Sequence, residues 1–404
     1  MVGLAVMAIT ATTARAQDHP GGMLGFETPW WPEIRRECPM AFRDETHLET
    51  CLVYVLSDDP IHPVLESIAP MSGIAAGLSG GWDLSHARDQ ADIAGHALVS
   101  VNGSWLVNAE YTLAPRLWNY PARTPDRTRL DIYATVDELP QIAFYTVGRD
   151  SRLYGQREIV GGIDYTAPII EWLRLGGRFE FRRPSISGLD GTTSFLHYDA
   201  IVQLHYPMSP PYDADAQLNY HVYQDIAGHR LSFGRFTALT TWTRTLSRVV
   251  RSDTAHGPSI VDRLFCHEAK MRDCDYGTVT VRGRLAVSSA FGRSTVPFYY
   301  QPTLGGADID NYDTLRGFAD YRFRGPDDWL TQVEYGRPIW GPFGLLFFYD
   351  AGRVGLAFSQ VHQDYGVGLS VTVATRVVLR SYLAFGGGEG IGSAVRLTGV
   401  PVPH

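Results

Sequence analysis

The sequence predicts an all-β protein, a transmembrane antiparallel β-barrel of about 16 strands. From about residue 70 to the end of the chain, apolar and polar residues alternate, and Gly, Pro, Asn and Asp separate the alternating segments. Many segments have roughly the 9 to 11 residues that a strand needs to cross a bilayer. The polar faces carry Arg, Glu, Asp and His, and aromatic residues cluster near segment ends, as in the girdles of membrane barrels.

Composition and charge narrow the classes of protein. The chain has 404 residues, of which 45% are hydrophobic and 12% aromatic, which is too apolar for a disordered protein. Its formal net charge of −8 argues against a nucleic-acid partner, because phosphate binding requires a basic surplus on one face. After the N-terminus no apolar run approaches the roughly 20 residues of a membrane helix, so we expect any membrane crossing to be made by strands.

The N-terminus is predicted to be a signal peptide, residues 1–16. MVGLAVMAITATTARA is apolar, and Ala14, Arg15 and Ala16 form the small-x-small pattern that precedes cleavage, with Gln17 as the mature N-terminus. A basic region before the apolar run is missing. A buried N-terminal helix is the alternative interpretation.

Four cysteines fit an exported protein, in which we expect them to form disulfides. Cys38 lies close in sequence to Cys51, and Cys266 lies close to Cys274, so local pairing is favoured among the three connectivities that four cysteines allow. A zinc site is the alternative. It is disfavoured because the sequence contains no C-x-x-C, and His267 has no suitably spaced partner.

The clearest alternation runs through WLRLGGRFEFRR, residues 172–183. Leu175 and Phe179 fall on one face of the predicted strand, while Arg178 and Glu180 fall on the opposite face. A secreted β-sandwich also alternates. The charged polar faces and the aromatic segment ends favour the membrane barrel over the sandwich.

Counting the alternating segments also predicts which links lie on which side of the membrane. The segments are 71–82, 91–100, 104–113, 128–138, 140–148, 155–166, 169–182, 194–206, 215–226, 230–246, 277–290, 328–339, 343–353, 365–375, 377–386 and 393–401. The short links 101–104 and 137–141 follow even strands, as periplasmic turns do, and the longer links 114–127 and 182–194 follow odd strands, as outside loops do. Residues 291–327 form the loop after the eleventh strand.

Three stretches in the C-terminal half carry a recognisable motif: PTLGGADIDNYDTLRGFADYRFRG, WLTQVEYGRPI and FGLLFFYDAGRVG. They resemble the sixth extracellular loop and the twelfth and thirteenth strands of the outer-membrane protein 85 superfamily. That family includes the BamA- and TamA-type insertases, the two-partner secretion translocators and the bacterial surface antigen family. The resemblance covers the C-terminal half, and the first ten strands match by pattern only. The motif residues are Leu315, Arg316, Gly317, Phe318, Glu334, Phe348, Asp350 and Gly352.

The resemblance implies that the loop tip folds back into the barrel lumen, where its arginine pairs with acids of the wall. Alternation places Glu334 and Asp350 on inward faces. Arg316 suits this role because a guanidinium has five donors in a rigid fork and stays protonated. Gly317 allows a tight backbone conformation and a close approach to the wall.

The resemblance also implies a domain organisation and a function. Residues 69–404 are expected to form an outer-membrane barrel, and residues 17–68 a short N-terminal segment that is too short for a POTRA domain. Within that segment, residues 44–56 form either a short helix or part of a disulfide-tied tail. The family inserts or translocates proteins or lipids at the bacterial outer membrane. It acts through a weak seam between first and last strands, which glycines near 73–81 and 386–392 would weaken here. Expected partners are outer-membrane lipids and barrel-protein or secreted-protein clients, and neither a cofactor nor a catalysed reaction is expected.

Three other functions stay open. A passive outer-membrane pore would share the polar lumen but would not need Arg316, and a barrel that anchors a partner protein is a second alternative. The third is an enzyme, since residues 77–81 match the G-x-S-x-G of hydrolases. That motif requires a turn between a strand and a helix, whereas here it lies within or at the end of a predicted strand.

Overall fold

The computed structural model describes residues 61–84, 89–115, 128–145, 151–189, 193–206, 212–249, 273–308, 312–340, 342–355, 360–373, 376–386 and 390–397. The predicted signal peptide, most of the predicted N-terminal segment and three of the four cysteines lie outside these residues. The fourth, Cys274, has a described backbone but no described side chain. The predicted cleavage, the helix at 44–56 and the disulfides therefore stay predictions.

Strands make up most of the described chain. In chain order they are β1 (Ile61–Glu66), β2 (Ala75–Asp83), β3 (Asp89–Ser100), β4 (Trp105–Pro115), β5 (Arg129–Tyr145), β6 (Ser151–Ile170), β7 (Leu173–Ile186), β8 (Phe195–Tyr206), β9 (Tyr212–Asp225), β10 (Phe233–Val249), β11 (Asp273–Ala290), β12 (Thr303–Leu304), β13 (Phe323–Arg324), β14 (Asp327–Trp340), β15 (Phe343–Val354), β16 (His362–Val373), β17 (Arg376–Gly386) and β18 (Gly390–Leu397). A single turn of 3₁₀-helix, Phe298–Tyr300, precedes β12. Across the described ranges, no helix is both long and apolar enough to cross a membrane.

Apart from β12 and β13, which pair with each other, the strands form one 16-stranded sheet in which every strand pairs with its neighbour in the chain. The pairings are antiparallel throughout. The edge strands of this order are β1 and β18, whose Cα atoms come within 8 Å of each other. The predicted fold class, an antiparallel barrel of about 16 strands, is confirmed.

The two faces of the sheet have the polarity of a membrane barrel. On β7, Phe179 lies on the outer face of the barrel and is 44% exposed, whereas Glu180 lies on the inner face and is only 4% exposed. Val333 and Tyr349 are exposed on the outer face of β14 and β15 in the same way. A soluble sandwich would bury these apolar residues, so the exposed apolar face marks the lipid-facing side.

The strand number agrees with the prediction, and β2, β3 and β4 match predicted segments, but β1 and β5 do not. Strand β1 lies inside the predicted N-terminal segment 17–68 and pairs with β2, so the sheet includes residues that precede the predicted barrel start at residue 69. Pro63 lies within this strand and pairs with Leu78, and a proline weakens the sequence pattern of a strand. The predicted segments 128–138 and 140–148 form one strand, β5, and these two errors cancel in the count.

The predicted turn at residues 137–141 is wrong because Pro140 is accommodated by a bulge. The register with β6 shifts between Leu139 and Ile142, so the strand continues through the proline. The predicted strand parity of two early links is also reversed. Because β1 precedes them, the link 101–104 follows an odd strand and the long link 114–127 follows an even one, the reverse of the prediction.

Candidate functional site

The long connection between β11 and β14, residues 291–326, folds into the interior of the barrel; we call it loop 6. Within it, Tyr300, Leu315 and Tyr321 are buried, although a connection of this length would normally lie on the surface. Its two halves are joined by the short pairing of β12 with β13. The inner face of the sheet supplies the side chains that hold it.

An aromatic cluster holds the first part of loop 6. The ring of Tyr300 lies 5.4 Å from that of Phe195 and 5.2 Å from that of Tyr223, and its hydroxyl donates a hydrogen bond of 2.6 Å to the Glu158 carboxylate. Burial and the negative charge of Glu158 raise the pKa of Tyr300 well above its ordinary value, so the phenol keeps the proton that it donates. Strands β6, β8 and β9 are thereby tied to the loop.

Arg284 of β11 holds the base of the β12–β13 pair. Its guanidinium donates to the carboxylates of Asp308 in loop 6 and Asp328 in β14, and to the carbonyl oxygen of Thr303 at 2.9 Å. One arginine therefore joins the loop to the wall at the point where the loop enters the lumen. Charge-assisted bonds of this kind are among the stronger hydrogen bonds in proteins.

Arg316 lies at the tip of loop 6 and is 2% exposed. Its Nε and Nη2 atoms each donate a hydrogen bond of 2.8 Å to one oxygen of Asp350 on β15. Its Nη1 donates at 2.9 Å to Glu334 on β14. The guanidinium fork thus engages both acids that alternation placed on inward faces.

Further contacts surround the guanidinium. Its Cζ lies 3.6 Å from the centre of the Phe348 ring, a close cation–π contact. Glu334 also lies 3.6 Å from guanidinium nitrogens of Arg282 and of Arg380. Burial lowers the pKa of Arg316, but the hydrogen bonds and charges of Asp350 and Glu334 raise it by more, so Arg316 stays charged.

The remaining motif residues serve packing and close approach. Leu315 and Phe318 are buried in one apolar cluster with Leu304 and Leu330. At Gly317, an added Cβ would lie 2.7 Å from the Cβ of Asp364 on β16.

Two further motif residues lie on β15. At Gly352, an added Cβ would lie 2.7 Å from the carbonyl oxygen of Trp329. Phe348 provides the ring below Arg316. Gly317 and Gly352 are both required by close approach rather than by a positive φ, since neither is among the positive-φ glycines of the described chain.

The link between β1 and β2, residues 67–74, packs against loop 6; we call it the first loop. The backbone N–H of Met71 donates at 3.1 Å to Asp320, and the hydroxyl of Tyr321 donates at 3.3 Å to the carbonyl of Pro70. Met71 and Tyr321 have φ values of 64° and 59°, which non-glycine residues seldom adopt. The edge strand β1 is therefore attached to the tip region of loop 6.

Sequence reasoning missed several of these residues. Arg284 and Asp328 were detectable, because both lie on inward faces of neighbouring segments. Tyr300 and Asp320 lie in irregular loop segments, where no periodicity indicates which side chains will be buried. Asp364 is not part of the motif found in the sequence.

Comparison with known structures shows the same architecture. The chain is similar to BamA from Haemophilus ducreyi lacking POTRA domains 1–3, with a TM-score of 0.56 and 12% identity over 84% of this chain and 70% of that chain. It is also similar to CdiB from Acinetobacter baumannii, with a TM-score of 0.52 and 10% identity over 83% of this chain and 59% of that chain. CdiB from Escherichia coli has a TM-score of 0.52 and 10% identity over 84% of this chain and 62% of that chain. The chain thus spans less than two thirds of both CdiB chains.

No protein-family model and no curated protein sequence matches the chain. At these sequence identities the similarity concerns the barrel fold alone.

Proposed function

We propose that this protein is a bacterial outer-membrane barrel that assists the insertion or translocation of proteins, or of lipids, through a seam between β1 and β18. The observation that carries the proposal is the buried ion-pair cluster of Arg316, Asp350 and Glu334, which holds loop 6 inside the barrel. A loop held this firmly suits a barrel whose interior is regulated rather than permanently open.

The glycine content of the strands at the seam supports weak pairing there. Glycine is frequent in β2 and β18. Because glycine offers no side chain for cross-strand packing, pairing at this side of the barrel is weakened.

The proposed mechanism needs backbone hydrogen bonds and no covalent step. When β1 and β18 separate, each presents unpaired N–H and C=O groups to which a strand of a client protein can add. Because the first loop is attached to loop 6 through Asp320 and Tyr321, the position of loop 6 influences the freedom of β1. Release of the loop would favour opening of the seam.

An assisted-folding assay tests this proposal. The purified protein is placed in liposomes, a urea-unfolded barrel client is added, and folding is followed by the gel shift of folded barrels. Wild type should accelerate client folding over empty liposomes. Arg316→Ala should lose that acceleration, whereas Arg293→Ala, which changes an exposed arginine of the same loop, should retain it.

A passive pore is the second candidate, supported by a polar cavity at the barrel end opposite loop 6. The cavity has a volume of about 650 Å³ and is lined by Glu171, Arg174, His205 and Asp215, among others. Steady high conductance in a planar bilayer, without any acceleration of client folding, would favour the pore. A protein with neither property would point to a barrel that anchors a partner.

A further inference from the structure

Two buried carboxyl groups face each other directly below the tip of loop 6. Asp350 on β15 and Asp364 on β16 are paired in the ladder, and the residues are 0% and 1% exposed. Like charges at directly opposite positions of a sheet are destabilising, and burial increases that cost. The pair therefore requires either a cation for each acid or a proton.

Arg316 forms no hydrogen bond with Asp364. Two of its bonds go to the two oxygens of Asp350, and the third goes to Glu334. Within the described residues, neither oxygen of Asp364 has a hydrogen bond of normal geometry. The backbone N–H of Gly317 and the carboxyl group of Asp350 nevertheless lie near the carboxyl group of Asp364.

The other neighbours of Asp364 do not supply a counter-charge. On its second side the ladder partner is Gly386, which has no side chain. The titratable or charged groups that face this region from β11, β14, β15, β16, β17 and loop 6 are Arg282, Glu334, Asp350, His362, Arg380, Tyr382, Asp313 and Arg316. Arg282 and Arg380 both lie against Glu334, one strand beyond Asp350.

We infer that Asp350 and Asp364 share one proton, and that Asp364 is a positioning residue for loop 6. In this arrangement the carboxylic acid of Asp364 donates a hydrogen bond to the carboxylate of Asp350. That bond holds Asp350 in the orientation in which both of its oxygens accept from Arg316. The side chain of Asp364 also packs against the Cα of Gly317, so the acid supports the loop tip directly.

A shared proton makes the docking of loop 6 depend on pH. When the loop leaves the lumen, water reaches both acids and each can ionise separately, so the docked state binds more protons than the released state. Docking is then complete at low pH and weakens as pH rises, by up to about tenfold per pH unit for one proton. That this pH dependence regulates opening of the seam rests on the proposed function, whereas the pH dependence of loop 6 docking does not.

Trypsin cleavage after Arg316 measures release of the loop, because this arginine is buried while the loop is docked. The protein in liposomes is digested from about pH 5 to about pH 9, the span over which buried carboxyl groups can titrate. Cleavage after Arg316, quantified by mass spectrometry, is normalised to cleavage after the exposed Arg293 of the same loop. Normalisation removes the pH dependence of trypsin itself.

Asp364→Asn is the decisive variant, since its amide can donate to Asp350 at any pH without a titrating proton. In wild type, normalised cleavage should rise with pH by more than tenfold over this range. In the variant it should stay low and flat. A flat wild-type profile, or an equal rise in both proteins, would overturn the inference.

If the variant does not fold, an infrared spectrum of the wild type keeps the inference testable. A carbonyl stretch of a protonated carboxylic acid should be present at neutral pH and disappear with the rise in cleavage, and its absence would overturn the inference. The assisted-folding assay is run separately. Acceleration without pH-dependent cleavage refutes the shared proton alone, and pH-dependent cleavage without acceleration refutes the proposed function alone.

Discussion

Replacing Arg316 by alanine removes the guanidinium from between two buried carboxylates and should release loop 6 from the barrel interior. The side chains of Arg316 and Asp350 are 1% and 0% exposed, and that of Glu334 is 9% exposed, so the pairs are shielded from solvent. Removing one partner of such a buried pair costs about 3 to 5 kcal/mol, because the other charge is left uncompensated. The docking equilibrium should therefore fall about 10²- to 10⁴-fold.

Hydrogen exchange of loop 6, followed by mass spectrometry in liposomes, measures this change. The amides of Thr314 and Phe318 are hydrogen-bonded within the docked loop, to Gly306 and Leu315 respectively, and should report its release. Their protection should fall by the same 10²- to 10⁴-fold, as estimated for loss of one buried partner. Protection in Arg293→Ala should match wild type. Unchanged protection in Arg316→Ala would refute the argument that the ion pairs hold the loop.

Two related substitutions separate charge from geometry. Arg316→Lys retains the charge but cannot form the bidentate hydrogen bond with Asp350. We therefore expect the amide protection of loop 6 to lie between that of wild type and that of Arg316→Ala. Combining Arg316→Ala with Asp350→Ala should cost less than the sum of the single changes. The difference should be about 0.5 to 3 kcal/mol, the usual range for residues in direct contact.

Three further predictions concern the other attachments of loop 6. Tyr321→Phe removes the hydrogen bond to the first loop and should lower the free energy of attachment of that loop by about 1 kcal/mol. The change should be measured as faster hydrogen exchange in residues 67–74. Gly317→Ala should lower the free energy of unfolding in urea by roughly 1 to 3 kcal/mol through overpacking against Asp364, and Asp364→Gly should restore part of it. Tyr300→Phe should cost about 1.5 to 3 kcal/mol in the same titration, because it removes a hydrogen bond to a charged acceptor. Tyr299→Phe, whose hydroxyl contacts a neutral threonine, should cost less.

The early strands show where sequence reasoning fails. Alternation located β6 to β11 and β14 to β17 because each of these strands has one lipid-facing and one interior face over many residues. It missed β1, which contains Pro63, and it divided β5 at Pro140. In the sequence a proline predicts the end of a strand, whereas in the folded sheet a β-bulge can accommodate the proline and the strand continues.

For the candidate site, the sequence by itself determined which residues would carry the charges and which face of each strand they would occupy. Arg316, Glu334 and Asp350 followed from a motif and from the two-residue period of a strand. Only the tertiary structure decided that Asp364 lies under Gly317 and that the first loop is attached to loop 6. Those contacts join residues far apart in the chain through irregular backbone, which no local periodicity specifies, so the folded barrel alone brings them together.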